Sequence, residues 1–281
     1  MEWNELASLT NRQMNQYKIE QDPVCQKIIQ GLKSIEEFLN NFEGLAFDRN
    51  IIICRSPLFS FNAILPSLVF TAGSIISCCE SGCLADANTL LRKYRDDMFF
   101  YLYIVVYNRN AFDETAESKI REMKNNIERW DQDGLADLKI GVVLKTIASF
   151  PEMRNAIIKY KLKSFFDSLD TRLNNFVHSN GVSYYNRNFE KCRISDFQKG
   201  LEMVLKDMRF ITVSFLFLLT LCSPITIMST DYVDYLELNL VPPTNSQYWV
   251  AAFIEEFFKN NLDMVDKSCI DYLRENTPMV I

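Results

Sequence analysis

The stretch Leu162-Lys163-Ser164-Phe165-Phe166-Asp167-Ser168-Leu169-Asp170-Thr171-Arg172-Leu173-Asn174-Asn175-Phe176-Val177-His178-Ser179-Asn180-Gly181 decides how this 281-residue chain is read. At about 100° per residue, Leu162, Phe165, Phe166, Leu169, Leu173, Phe176 and Val177 fall on one apolar stripe, which predicts an amphipathic helix facing a core. His178 then lies opposite the centre of the stripe with Thr171, Asn174 and Asn175, and Arg172 lies at its margin. Asn175 is three residues from both Arg172 and His178, so it can reach either on the helix surface. Asn180-Gly181 supplies a stop. His178 is the only histidine in the chain, hence the one side chain whose ordinary chemistry moves protons near neutral pH. The last helical turn also favours a cation there. Residues that point outward leave no cavity when truncated, so His178→Ala and Arg172→Ala are each expected to change stability by no more than about 0.5 kcal/mol.

Composition supports helices throughout. Glycine and proline number only eight each and 48% of residues are hydrophobic, ample for a buried core and poor in the turns that a β fold needs. The expected fold class is all-α. A polar helix is read over 3–21, carrying Leu6, Leu9, Met14 and Tyr17, and Pro23 opens a second that runs to about Phe47. Ile51-Ile52-Ile53-Cys54 reads as an extended connector. A third long helix runs from about Leu84 to Tyr107, a charged insertion occupies 111–135, and a short helix spans 135–149. Pro151 marks the start of the motif helix, Ser195 opens the next, Thr230–Leu240 reads as a short strand or extended arm, and 246–275 as a terminal helix or helix pair. Two apolar runs, Phe59–Cys79 and Phe210–Met228, approach membrane-span length. Pro66 and Pro224, together with meagre basic flanks, favour buried helices instead.

The chain starts without the basic and apolar regions of a secretory signal and shows no lipidation motif, so a cytoplasmic location is expected. The eight cysteines are scattered, and reduced thiols are the expectation. Cys78, Cys79 and Cys83 cluster without the spacing of a zinc site, so no metal and no cofactor is expected. A net charge of −6 provides no global attraction to nucleic acid. Local basic groups are Lys159, Lys161 and Lys163 before the motif, and Arg187, Lys191 and Arg193 after it. Tyr184 and Tyr185 stand available to stack on a base or to pack. Arg92 and Asp96 stand at i and i+4, which fits either a helix-surface ion pair or a pair pointing toward the motif.

Arg172-x5-His178, near the end of a helix and before a turn, resembles the Arg-x(4–6)-His signature of the HEPN superfamily, all-α domains that include many metal-independent RNases. The upstream segment Ala72–Ile76 through Ala85–Asp96 resembles the helix pair that precedes the motif in an uncharacterised bacterial branch. There the Leu-Leu-Arg run is followed by an acid, usually Glu, where this chain has Asp96 beside Asp97. Asn180 stands where the stricter pattern has Tyr. The resemblance implies one helical domain over 1–281: a HEPN-like core over about 59–222 and accessory helices at 1–58 and 245–281. It implies a homodimer in which two motif helices face one cleft, and an RNA substrate cleaved through its own 2′-hydroxyl. His178 would be the general acid–base and Arg172 the phosphate cation. Asn175 and Asn174 would orient them, and Arg92, Asp96, Lys163 and Tyr184 would support or bind RNA. By analogy it also implies a toxin or phage-defence role with an antitoxin or other partner protein. A non-catalytic module of the same fold that binds a nucleotide or a protein uses the same face, and a helical scaffold is the third reading.

Overall fold

A computed structural model describes residues 10–53, 64–112, 116–132, 138–182, 184, 187–188 and 192–281, without the side chains of 47–53 and 263. Leu6, Leu9, Cys54, the first residues of the Phe59–Cys79 run, Asp113, Glu114, Asp133-Gly134, Tyr185 and Lys191 therefore lie outside the described residues. Helix α1 is Asn11–Gln21, begun by a reciprocal capping box: Thr10 Oγ1 accepts from Gln13 N and Gln13 Oε1 accepts from Thr10 N. Pro23 opens α2, Pro23–Ile53, at the position where its missing N–H is not needed. Ile51–Ile53 thus belong to a helix and not to the extended connector expected from their β-branching. Branching costs only tenths of a kcal/mol per residue in a helix, whereas a lone strand leaves its whole backbone unpaired. Pro66 sits in the first turn of α3, Ile64–Glu80, where proline is tolerated for the same reason.

Helices α4, Leu84–Asn110, and α9, Ile194–Cys222, form the centre. Met98–Val106 of α4 and Phe210–Cys222 of α9 are buried on every face. A helix apolar all round must be surrounded, and here α2, α3, α8 and the short C-terminal helices surround the pair. Tyr94 of α4 and Thr212 of α9 exchange a buried hydroxyl hydrogen bond at 2.7 Å, which satisfies both polar groups inside that core. Gly200 allows close approach of the two helices, since a Cβ there would lie 2.5 Å from Leu84 Cδ1. Cys222 ends α9, and Pro224 starts a single 3₁₀ turn. Among the described residues no helix is long and apolar enough to cross a membrane.

The charged insertion contains α5, Glu117–Asp131, whose Ile120, Met123 and Ile127 are buried and whose Trp130 ring meets Phe100 of α4 at 4.6 Å. Next come α6, Ile140–Ile147, α7, Pro151–Lys159, and α8, Leu162–Val177. The motif helix does not begin at Pro151. Lys161 takes φ 51° and breaks the chain between α7 and α8, so Lys159 and Lys163 stand on different helices. After α9 the chain forms α10, Asp231–Glu237, where an extended arm was expected. Asp231 and Asp234 favour the positive end of a helix, and a strand there would have no ladder to join. Two helices, α11, Ala252–Asn261, and α12, Cys269–Asn276, complete the chain. Phe257 of α11 stacks on Phe38 of α2 at 4.0 Å, and Phe42 of α2 meets Phe215 of α9 edge-on. The terminal helices therefore share one core with the centre. The fold is all-α, and the described residues contain only two isolated β-bridges.

Candidate functional site at the junction of α4, α8 and α9

Two polar clusters join α8 to the central helices, and His178 stands beyond them at the end of α8. The first cluster is built on Arg95, which is 1% exposed. Its Nε and Nη2 donate to Asp96 Oδ1 at 2.9 and 2.7 Å, and Nη2 also donates to Asp170 Oδ1 at 2.8 Å. Asn174 Nδ2 donates to the other oxygen of Asp170 at 3.0 Å. Arg92 Nε lies 3.7 Å from Asp96 Oδ2. Burial pushes the Asp96 carboxyl above the usual carboxylate range, against the pull of the Arg95 and Arg92 guanidinium groups, while Asp170 adds to the rise. Among the described residues Arg95 Nη1 and Asn174 Oδ1 are buried without a hydrogen-bond partner.

The second cluster is built on Arg172. Its Nη2 hydrogen-bonds the carboxylate of Asp207 on α9, and Nη1 donates to Asn88 Oδ1 on α4 at 3.3 Å. Asn88 in turn donates to Leu84 O at 2.7 Å. The Asp207 side chain is only 8% exposed. Burial raises its carboxyl above the usual value, with Arg172 opposing the rise. Arg172 is 28% exposed and turned into the junction. This corrects its expected outward placement: from the margin of the stripe its long side chain reaches and pairs with the buried Asp207 carboxylate, to which Lys206 adds a weaker favourable charge.

His178 is exposed and caps α8, its backbone N–H donating to Asn174 O at 3.0 Å. Its imidazole makes no hydrogen bond among the described residues. The helix ends at Val177, before the stop expected at Asn180-Gly181. Ser179 adopts the left-handed conformation at φ 48°, and Asn180 N–H bonds back to Asn175 O at 2.9 Å. Asn175 is committed to this cap, not to Arg172 or His178. Its Nδ2 donates to Tyr184 Oη at 3.4 Å, and its Oδ1 accepts from Asn180 Nδ2 at 3.3 Å. Tyr184 packs: its ring meets Phe176 edge-on at 4.9 Å, and the Arg187 guanidinium lies 5.7 Å from the same Phe176 ring.

Other expected members are dispersed. Lys163 pairs with Asp167 at 2.5 Å on an exposed face, and fifteen residues at 1.5 Å each put it about 22 Å along the axis from His178. Lys159 faces the Tyr272 ring of α12 at 4.7 Å. Arg92 and Asp96 join Arg95 instead of His178. Arg95 and Asp207 are not among the site residues expected from the sequence, although Leu91, Arg95, Met98 and Leu102 follow the inward spacing of α4. A charge on a buried stripe was the available signal. Among the described residues no three His, Cys, Asp or Glu side chains converge to hold a metal ion. A cleft of about 450 Å³, lined by Leu84, Arg187, Cys192, Asp196, Lys199 and Met203, among others, opens where α4 and α9 begin. Neither Arg172 nor His178 lines it. No protein-family model, no curated protein and no solved structure matches this chain.

Proposed function

We propose that this protein is a metal-independent endoribonuclease in which His178 transfers the proton. The observation that carries this reading is the position of the lone imidazole: solvent-exposed, on the last turn of a helix whose register is held by two charged clusters. RNA supplies its own nucleophile, the 2′-hydroxyl, so the protein needs a base for that proton, an acid for the departing 5′-oxygen and positive charge near the phosphate. A second copy of the chain, packed through the ends of α8, would bring a second imidazole and divide the acid and base roles between two subunits. Arg172 keeps N–H donors beyond those used by Asp207 and Asn88, since a guanidinium has five. The HEPN resemblance of the Arg172–His178 spacing supports the same chemistry, and a toxin or defence role with a neutralising partner protein follows from it by analogy.

One observation favours a second reading, a non-catalytic module that binds a nucleotide or a protein. The charge of Arg172 is largely spent on Asp207, which lowers its value for a phosphate in flight. Incubating purified wild type and His178→Ala with total RNA in EDTA separates the two. The nuclease reading expects cleavage by wild type alone, leaving 2′,3′-cyclic phosphate ends and sparing DNA. Intact RNA in both samples, or equal cleavage by both, overturns it.

A further inference from the structure

The turn between α3 and α4 holds two thiols in a fixed relation. Gly82 takes φ +74°, a conformation glycine adopts without steric cost. Around it Cys83 N–H donates to Cys78 O at 2.8 Å and Gly82 N–H donates to Cys79 O at 3.1 Å. These are the two bonds of a Schellman motif, which brings the backbones of its first and sixth residues together and frequently their side chains into contact. Here those residues are Cys78 and Cys83, and Cys83 Sγ lies 3.9 Å from Ser81 O. Both are free thiols, Cys78 half-buried and Cys83 8% exposed. The turn is wedged between α1 and α9: a Cβ on Gly82 would lie 3.2 Å from Asn15 Cβ and 3.3 Å from Phe197 Cε1. Their mutual position is therefore set by backbone hydrogen bonds and by packing on both sides.

We propose that Cys78 and Cys83 form a reversible disulfide across the α3–α4 turn, with a small-molecule disulfide as oxidant. The more exposed Cys78 attacks first as the thiolate, forming a mixed disulfide and expelling one small thiolate. Cys83 then gives its proton to solvent, and its thiolate attacks Cys78 Sγ and releases the second small thiol. The protein loses two hydrogens and the small disulfide gains them. The Arg12 guanidinium of α1 favours both thiolates, while burial and Asp86 raise both thiols above the usual value. The exchange is therefore slower than at an exposed cysteine. Cys79 is fully buried, which keeps its thiol from a small-molecule disulfide in solvent. Cys192 is the rival partner, since its backbone N–H reaches Asn15 Oδ1 at 3.3 Å beside the same turn. The bond would lock the start of α4, which already receives Asn188 from the segment after α8: Asn188 Oδ1 accepts from Ala85 N at 3.0 Å and Asp86 N at 3.3 Å.

The test uses the full chain, reduced, freed of reductant and incubated with oxidised glutathione at pH 8. Remaining thiols are then alkylated and the protein is cleaved after Glu80, which separates Cys78 from Cys83. The proposal expects a product two hydrogens lighter, its two fragments joined by a bond that reductant opens. Cys79→Ala and Cys192→Ser retain that link. Cys83→Ser stops at a stable glutathione adduct on Cys78. Alkylation of both Cys78 and Cys83 in wild type, an adduct on Cys78 that never resolves, or a link that runs to Cys192 overturns it. The wild-type map alone decides if a variant fails to fold, and none of these readouts depends on RNA cleavage.

Discussion

His178 and Arg172 stand six positions apart and in opposite physical situations. His178 is exposed, so His178→Ala should change stability by no more than about 0.5 kcal/mol and leave the melting temperature nearly unchanged. Its RNA cleavage should fall roughly 100- to 10,000-fold, the usual effect of losing a general acid or base. An unchanged cleavage rate, or melting many degrees lower, would remove the histidine from the chemistry. Arg172→Ala behaves differently because it strands Asp207 as a buried, unpaired charge. A loss of about 3–5 kcal/mol is expected in denaturant unfolding, so that variant cannot report on catalysis alone. Pairing it with Asp207→Leu should recover part of the loss, since two apolar groups of suitable shape replace a buried ion pair at little cost. Titration gives a second check. The Asp207 carboxyl is raised above 3.8 in the folded chain. The stability it contributes is therefore fully present below about 3.8 and lost as pH rises through the folded value. Carboxyl-detected NMR should find its midpoint above 3.8 in wild type. Removing the Arg172 charge should move it higher, and a midpoint at or below 3.8 in wild type would contradict the burial argument.

Helix ends are where element-scale strain sits in this protein. Lys161 at φ 51° and Ser179 at φ 48° hold left-handed conformations without being glycine, one before α8 and one after it. Each pays about 1 kcal/mol for its Cβ in that region. Lys161→Gly and Ser179→Gly should each stabilise by about 0.5–1 kcal/mol, seen as a rise of roughly 1–3 °C in a melting scan. A fall in either melting temperature would mean that the side chain contributes more than its backbone strain costs. Gly82 is the converse case. Its φ of +74° strains any L side chain, and a Cβ would press on Asn15 Cβ at 3.2 Å, so Gly82→Ala should lose about 1–2 kcal/mol. The ion pairs of α8 do not share this importance. Lys163–Asp167 is exposed at i and i+4 and contributes a few tenths of a kcal/mol.

At the scale of the whole molecule, α4 and α9 cross a single core to which nearly every described helix contributes, from Ile19 in α1 to Leu273 in α12. The terminal helices are part of that core: Phe38 of α2 stacks on Phe257 of α11. One Arg172/His178 pair offers the proposed nuclease limited charge for an RNA phosphate, and a second copy of this chain related by a twofold axis would double it. Light scattering at tens of micromolar should therefore give twice the mass of the chain. A monomer would leave only the binding and scaffold readings.

Sequence patterning alone determined the all-α class. The scarcity of glycine and proline and the 3.6-residue periodicity of segments such as Leu162–Val177 depend only on which residues recur along the chain. It also marked the proline-limited ends of the apolar runs, because proline acts within its own turn. The break at Lys161 was not legible, since lysine does not favour a left-handed backbone; the stop after α8 was legible in Asn180-Gly181, although the left-handed residue is Ser179. Ile51–Ile53 and Asp231–Glu237 were misjudged for a related reason. Strand propensity has effect only where another strand is present to pair. The candidate site divides in the same way. His178 was legible as a lone histidine opposite an apolar stripe, a property of one helix. Arg172 was not, because its direction depends on Asp207, thirty-five residues away on α9. Arg95 was marked in the sequence only by its place on the inward stripe of α4, and its partner on α8 appears only where the two helices meet. A buried charge is settled by the groups that surround it, and only the tertiary structure brings Asp170 within 2.8 Å.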